Sequence, residues 1–89
     1  MVRYDVLSPG EMQRLSCARV LYHSPRYVLL DEVTSAISQD SEEVIYDEFR
    51  SRRITYLSVG HRTSLRRLHD VELRMDGRGG WDVFPIVAE

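Results

Sequence analysis

Tyr27-Val28-Leu29-Leu30 forms an unbroken apolar run that follows Pro25 and closes on Asp31 and Glu32. A run of this length predicts a strand buried on both faces, as in a parallel sheet, with the two acids at its carboxyl end. Upstream, Met12, Leu15, Ala18, Leu21 and Tyr22 recur at three- and four-residue spacing. That spacing predicts a helix of about four turns, ending near Ser24-Pro25, with the stripe as its core face. Ser8-Pro9-Gly10-Glu11 supplies its start: a capping hydroxyl, a proline at the first helical position and a glutamate three residues after the cap. Before it, Val2, Tyr4 and Val6 alternate loosely, as in a short extended lead-in from Met1 to Leu7.

Residues 33–40 form a polar link that ends in a second capping box, Asp40 with Glu43. A helix from Ser41 to Arg50 follows, with Val44, Ile45 and Phe49 facing inward. Residues 54–59 read as a strand broken by Gly60-His61. Strand, link, helix and strand make a right-handed crossover unit, so the second strand runs parallel to the first and His61 reaches the same sheet edge as Asp31 and Glu32. Thr63 to Leu68 reads as a short helix capped by Thr63, with Leu65 and Leu68 inward. Val71, Leu73 and Met75, then Trp81, Val83 and Ile86, alternate around the turn from Asp76 to Gly80 and predict a β-hairpin. Turn geometry suffices for those glycines, since no strand-loop-helix context suggests a phosphate loop there.

Composition narrows the possibilities. At 89 residues the chain is one small domain or part of a larger one, and 43% hydrophobic with 29% charged residues is ordinary for a globular protein. All 12 basic residues are arginine, clustered at Arg50, Arg52 and Arg53 and at Arg62, Arg66 and Arg67, but 14 acids are interleaved and the net charge is −2. The clusters therefore read as a solvated face, with no nucleic-acid partner. Cys17 stands alone, which excludes an intrachain disulfide and a cysteine-cluster metal site. No apolar stretch approaches the ~20 residues of a membrane span, and no signal pattern opens the sequence, so the chain reads as soluble and untargeted.

Three places carry candidate chemistry. Ligands of open α/β sheets bind at the carboxyl edge, where Asp31 and Glu32 lie. Two adjacent acids there suit phosphoryl transfer, one helping to hold magnesium and the next polarising an attacking water, although a strand running into a helix cap gives the same pattern. The helix start at Ser8 and Gly10 has N–H groups without intrahelical partners and can bind an anion, although the capping box alone accounts for Ser8. His61 can donate to a phosphate oxygen or take part in acid-base work, or it can be a turn histidine with a local hydrogen bond. His23 and His69 have no such placement.

Leu7-Ser8-Pro9-Gly10-Glu11, then the run from Tyr27 to Glu32, then Thr34-Ser35-Ala36, then His61 resemble, in order and spacing, the second half of an ABC transporter ATP-binding domain, from about Asp5 to Ile86. Ser8-Pro9-Gly10-Glu11, Ser58-Val59-Gly60-His61-Arg62 and Gly79-Gly80-Trp81 are most similar to the subfamily D half-transporters of peroxisomes, which carry acyl-CoA esters, and lysosomes, which carry cobalamin. Pro9 leans toward the cobalamin-type member. The resemblance implies an α/β fold: the C-terminal portion of a P-loop NTPase, with parallel strands, crossover helices and a terminal β-hairpin. It implies ATP and Mg2+ as cofactors and a second ATPase domain and a membrane-spanning half as partners. The location it implies is the cytosolic face of a peroxisomal or lysosomal membrane.

The same resemblance implies roles. Ser8, Gly10 and Glu11 belong to the signature motif, which contacts ATP held by the opposite protomer. Asp31 is the acid near magnesium, Glu32 the general base, Ser35 and Ala36 part of the D-loop at the dimer seam, and His61 the switch histidine at the γ-phosphate. Pro9 stands where the family usually has glycine and cannot donate an N–H, and Ser38 replaces an aspartate common at the end of the D-loop. No G-x-x-x-x-G-K-[ST] occurs, so the phosphate cradle is missing. Residues 1–89 are therefore expected to be a partial nucleotide-binding domain, a truncated product or an incomplete gene model, with no ATP turnover of its own. The alternative is a stand-alone interaction module that pairs with an intact ATPase domain and modulates it.

Overall fold

A computed structural model describes residues 7–87, so the lead-in expected around Val2, Tyr4 and Val6 lies outside the described residues. Helix α1 spans Pro9–His23 and begins as its sequence predicts. The Glu11 N–H donates to Ser8 Oγ at 3.2 Å, and the Ser8 N–H donates back to Glu11 Oε1 at 3.0 Å. Pro9 occupies the first turn, where its missing N–H costs nothing. At the other end Ser24 adopts a left-handed φ of 44° and its N–H donates to Val20 O, stopping the helix before Pro25.

The face that α1 buries differs from the expected stripe. Cys17 is the buried residue, with Val20 and Leu21 packed beside it, while Met12, Ala18 and Tyr22 are exposed. Apolar spacing fixes that a helix forms, but its rotation follows the hydrogen bonds of Gln13 to residues 32–36 and the close approach of Gly10 to Ala36.

Strands β1 (Tyr27–Asp31) and β2 (Thr55–Val59) pair in parallel, with Leu29 opposite Leu57 and Asp31 opposite Val59. Leu30 and the partly buried Val28 join Cys17, Tyr46, Phe49, Ile54, Leu65 and Leu68 in the core. The strand is not buried on both faces, however, because Tyr27 is 71% and Leu29 68% exposed, and Leu57 and Val59 beside them are exposed too. Among the described residues, packing against the sheet comes from the Val28 and Leu30 side alone.

Helix α2 spans Gln39–Ser51 and is capped by Ser38, whose Oγ accepts from the Ser41 N–H at 3.2 Å. The Asp40 and Glu43 box does not form; the serine hydroxyl takes the capping role two residues earlier. The inward face carries Glu42, Tyr46 and Phe49, with Ile45 partly buried and Val44 exposed. Helix α3 (Thr63–Arg66) has Arg62 rather than Thr63 at its cap position, and Leu65 and Leu68 are buried as expected. Strands β3 (Val71–Met75) and β4 (Trp81–Pro85) form the antiparallel hairpin, Met75 opposite Trp81. Asp76 Oδ1 accepts from the N–H groups of Arg78 and Gly80, and Gly77 and Gly79 have φ of 78° and 84°. These values need glycine and make the segment a turn. Among the described residues the architecture is a small mixed α/β fold with one parallel and one antiparallel strand pair. Among the described residues no helix is long and apolar enough to cross a membrane.

Candidate functional site

Glu32 directly follows β1 and has a φ of 51°, a left-handed conformation that costs a side-chain-bearing residue about 1–2 kcal/mol. Neighbours hold it there. Its N–H donates to Val59 O at 2.8 Å, extending the parallel ladder, and its carbonyl accepts from the Ser35 N–H and from Gln13 Nε2. Across the pair, β2 ends at Val59 and the chain turns through Gly60, where an added Cβ would stand 2.4 Å from Leu65 Cδ1. The parallel register thus delivers His61 beside Glu32, with Nε2 3.6 Å from Oε1. The histidine side chain is 91% and the glutamate 45% exposed, so the pair itself stabilises the fold little and both groups remain accessible.

Glu32, Ser35, Tyr46, His61 and Arg62 line a cleft of about 240 Å³. Asp31 is exposed at the end of β1 and does not line it. Among the described residues no three His, Cys, Asp or Glu side chains gather as a metal site. A cation held near Asp31 would therefore draw most of its oxygen ligands from elsewhere, as magnesium at a phosphate commonly does.

At the start of α1 the Ser8 hydroxyl accepts the Glu11 N–H, which leaves its own proton to donate outward. The Gly10 N–H occupies the second helical position, one of those without an intrahelical acceptor. Hydrogen bonds from the Ser8 backbone and side chain hold the Glu11 carboxyl below its usual range, slightly opposed by desolvation and aided by Arg14. A Cβ on Gly10 would lie 2.8 Å from Ala36 O, so the helix start packs directly on the turn that carries Ser35 and Ala36. The structure brings Glu32 and His61 together and Gly10 against Ala36.

Several residues important to this arrangement escape sequence reasoning. Gln13 bonds Glu32, Ser35 and Ala36. Arg62, grouped above with a solvated face, instead donates to Thr34 O and Ile37 O at 2.7 Å each and meets Glu42 Oε2 at 3.2 Å. Thr34 Oγ1 and Ser64 Oγ complete the shell of the buried Glu42 carboxylate. His69, given no role, braces the core: Nδ1 lies 2.6 Å from Leu65 O and Nε2 2.7 Å from Ser58 Oγ, which is 2.8 Å from Tyr46 OH. These contacts join positions remote in sequence and leave no periodic signal. Of the other clustered arginines, Arg52 pairs with Glu48 and Arg66 with Glu72 nearby in sequence, while Arg67 reaches Glu43 of α2.

No protein-family model matches the chain. Lysosomal cobalamin transporter ABCD4 of Mus musculus is 49% identical over 97% of this chain, and that of Homo sapiens is 48% identical over the same share. ATP-binding cassette sub-family D member 3 of Rattus norvegicus is 50% identical over 96%. The chain spans 14% of the length of the first two and 13% of the third. The lean toward the cobalamin-type member agrees with the first two names. With identity near one residue in two across 97% of its length, the chain is similar to a segment of the subfamily D ABC transporters.

Proposed function

We propose that residues 1–89 are part of the ATP-hydrolysing domain of a subfamily D transporter, with the P-loop NTPase fold, reaching from the signature motif toward the domain's C-terminus. The observation that carries this reading is the meeting of Glu32 and His61, 3.6 Å apart, at the carboxyl edge of a parallel strand pair. In this reading Glu32 takes a proton from the attacking water and His61 donates a hydrogen bond to a phosphate oxygen. Asp31 would help to hold magnesium. Ser8 and Gly10, with Glu11 bracing the cap, offer hydroxyl and N–H donors to the nucleotide of a second ATPase domain. Ser35 and Ala36 lie at the seam between the two domains.

Bound ATP and Mg2+ supply the phosphoryl group and the charge that stabilises its transfer. The sequence carries no phosphate cradle, so the nucleotide would be gripped by residues outside these 89. The donor set here fits the water and signature sides of such a site. The further partner would be a membrane-spanning half, and the names of the mouse and human relatives support cobalamin as cargo at a lysosomal membrane. The subfamily resemblance drawn from the sequence keeps the peroxisome as the other location.

The test is Mg2+-dependent ATP hydrolysis by the complete protein that carries this segment. Glu32→Gln should lower turnover at least about 100-fold, the scale of a lost general base, and unchanged turnover would contradict the reading. The 89-residue chain alone should show no hydrolysis above buffer. A second reading, a stand-alone module that pairs with an intact ATPase domain and modulates it, is favoured by the exposed face of Tyr27, Leu29, Leu57 and Val59. It requires the chain to bind and inhibit such a domain in the presence of ATP, and failure to associate would count against it.

A further inference from the structure

Gln13 directs both the nitrogen and the oxygen of its side-chain amide to one short turn. Nε2 donates to Glu32 O at 3.1 Å and to Ser35 Oγ at 2.9 Å, and Oε1 accepts from the Ala36 N–H at 2.7 Å. The orientation of the amide is fixed by chemistry, because a carbonyl oxygen can only accept and a backbone N–H can only donate. A neutral amide offers both functions at one tip, which neither a carboxylate nor an ammonium group does. Two further observations converge on the same contact. Glu32 holds a left-handed φ of 51°, and Gly10 lets the helix approach so near that a Cβ would be 2.8 Å from Ala36 O. Strained backbone of this kind persists only where its surroundings over-determine it, and Gln13 supplies one of the two bonds to the Glu32 carbonyl.

We infer that Gln13 is a positioning residue for the reaction assigned above to Glu32, an inference that rests on that assignment. It touches no reacting atom. It locks the Glu32 backbone in the conformation that sends the carboxylate toward His61, and it ties the turn bearing Ser35 and Ala36 to the first turns of α1. The helix start that carries Ser8 and Gly10 and the carboxylate of Glu32 thereby move as one body.

The experiment compares the complete transporter carrying this segment with its Gln13→Glu, Gln13→Leu and Glu32→Gln variants, by steady-state ATP hydrolysis and by amide hydrogen exchange over residues 32–37. Gln13→Glu keeps an acceptor for the Ala36 N–H but sets a carboxylate against Glu32 O. It should lower kcat about tenfold or more, as a misplaced reacting group does, while KM for ATP stays within about twofold because the Gln13 amide is directed at residues 32–36. Exchange at the amides of Ser35 and Ala36 should quicken in Gln13→Leu. In Gln13→Glu the Ala36 amide should stay slow. Should Gln13→Leu fail to fold, the nearly isosteric glutamate variant decides the matter. A parental kcat in Gln13→Glu, with Glu32→Gln inactive, would overturn the role of Gln13 alone. A change confined to KM, or unaltered exchange in Gln13→Leu, would overturn it as well. Full turnover in Glu32→Gln would overturn the assignment of Glu32 and the inference with it.

Discussion

The Arg62 guanidinium sits 3.2 Å from the carboxylate of Glu42, a side chain with 0% exposure. The same nitrogen donates to Thr34 O and Ile37 O, so one arginine joins α2, the 32–37 turn and the residue after His61. A buried carboxylate offsets its lost hydration only when its oxygens are satisfied, and Thr34, Ser64 and Arg62 do this for Glu42.

Removing one member of that cluster should therefore cost more than a surface ion pair would. Arg62→Met should lower the stability of the chain by about 3 kcal/mol in urea unfolding, because Glu42 remains buried without its cation. Arg62→Lys should recover little, since one ammonium on a flexible stem does not reproduce the fixed geometry toward two carbonyls and a carboxylate. A loss below about 1 kcal/mol for Arg62→Met would place the pair with weak surface bridges.

Gly10→Ala should destabilise the chain even though alanine is the better helix former by about 1 kcal/mol. The new Cβ meets the backbone oxygen of Ala36 at 2.8 Å, which cannot step aside as a side chain can. At Gly60 the obstacle is the Leu65 side chain, which has rotamers to use. The urea midpoint should fall for Gly10→Ala, and by less for Gly60→Ala. A raised midpoint for Gly10→Ala would mean that the helix does not press on the turn.

Alkaline titration offers a third check. Burial pushes the Cys17 thiol from an ordinary value of 9.0 up to about 11. Burial likewise pushes the Tyr46 phenol from 10.0 up to about 12, opposed by its bond with Ser58 and aided chiefly by Glu42. Between the two values of each group the folded chain holds more protons than the unfolded chain, so stability falls as pH rises. The Cys17 contribution is complete below pH 9 and lost by about 11; that of Tyr46 is complete below 10 and lost by about 12. Unfolding midpoints should be level up to about pH 9 and then decline, and Cys17→Ala should delay the onset toward pH 10. A midpoint that rises over this range would contradict the burial of both groups.

Much of the framework is local and so legible in the sequence. Ser8 and Glu11 lie three residues apart and form their box, the run ending at Asp31 becomes a strand, and Asp76 to Gly80 turn. The meeting of Glu32 and His61 follows from the parallel register of two short strands, which the strand-helix-strand order foretells. Helix faces were less legible. Met12 and Tyr22 look as core-like as Leu21, and the bonds of Gln13 to residues 32–36, remote in sequence, go with the way α1 is turned. Val44 outranks Glu42 as a buried candidate until Arg62 arrives from elsewhere in the chain. Asp40 reads as the cap in sequence, but the Ser38 hydroxyl is the group that reaches an N–H. Tyr27 and Leu29 have a pattern suited to burial on both faces, but nothing among the described residues covers theirs.

The most direct test asks whether Glu32 and Ser8 serve facing nucleotide sites. The complete ATPase domain carrying this segment, with Glu32→Gln to hold ATP unhydrolysed, would be sized by analytical ultracentrifugation with Mg-ATP, with Mg-ADP and with a further Ser8→Arg change. Dimers with ATP only, lost when Ser8 is replaced by arginine, are the predicted result. Monomers under all three conditions, or dimers indifferent to the nucleotide and to Ser8, would contradict it.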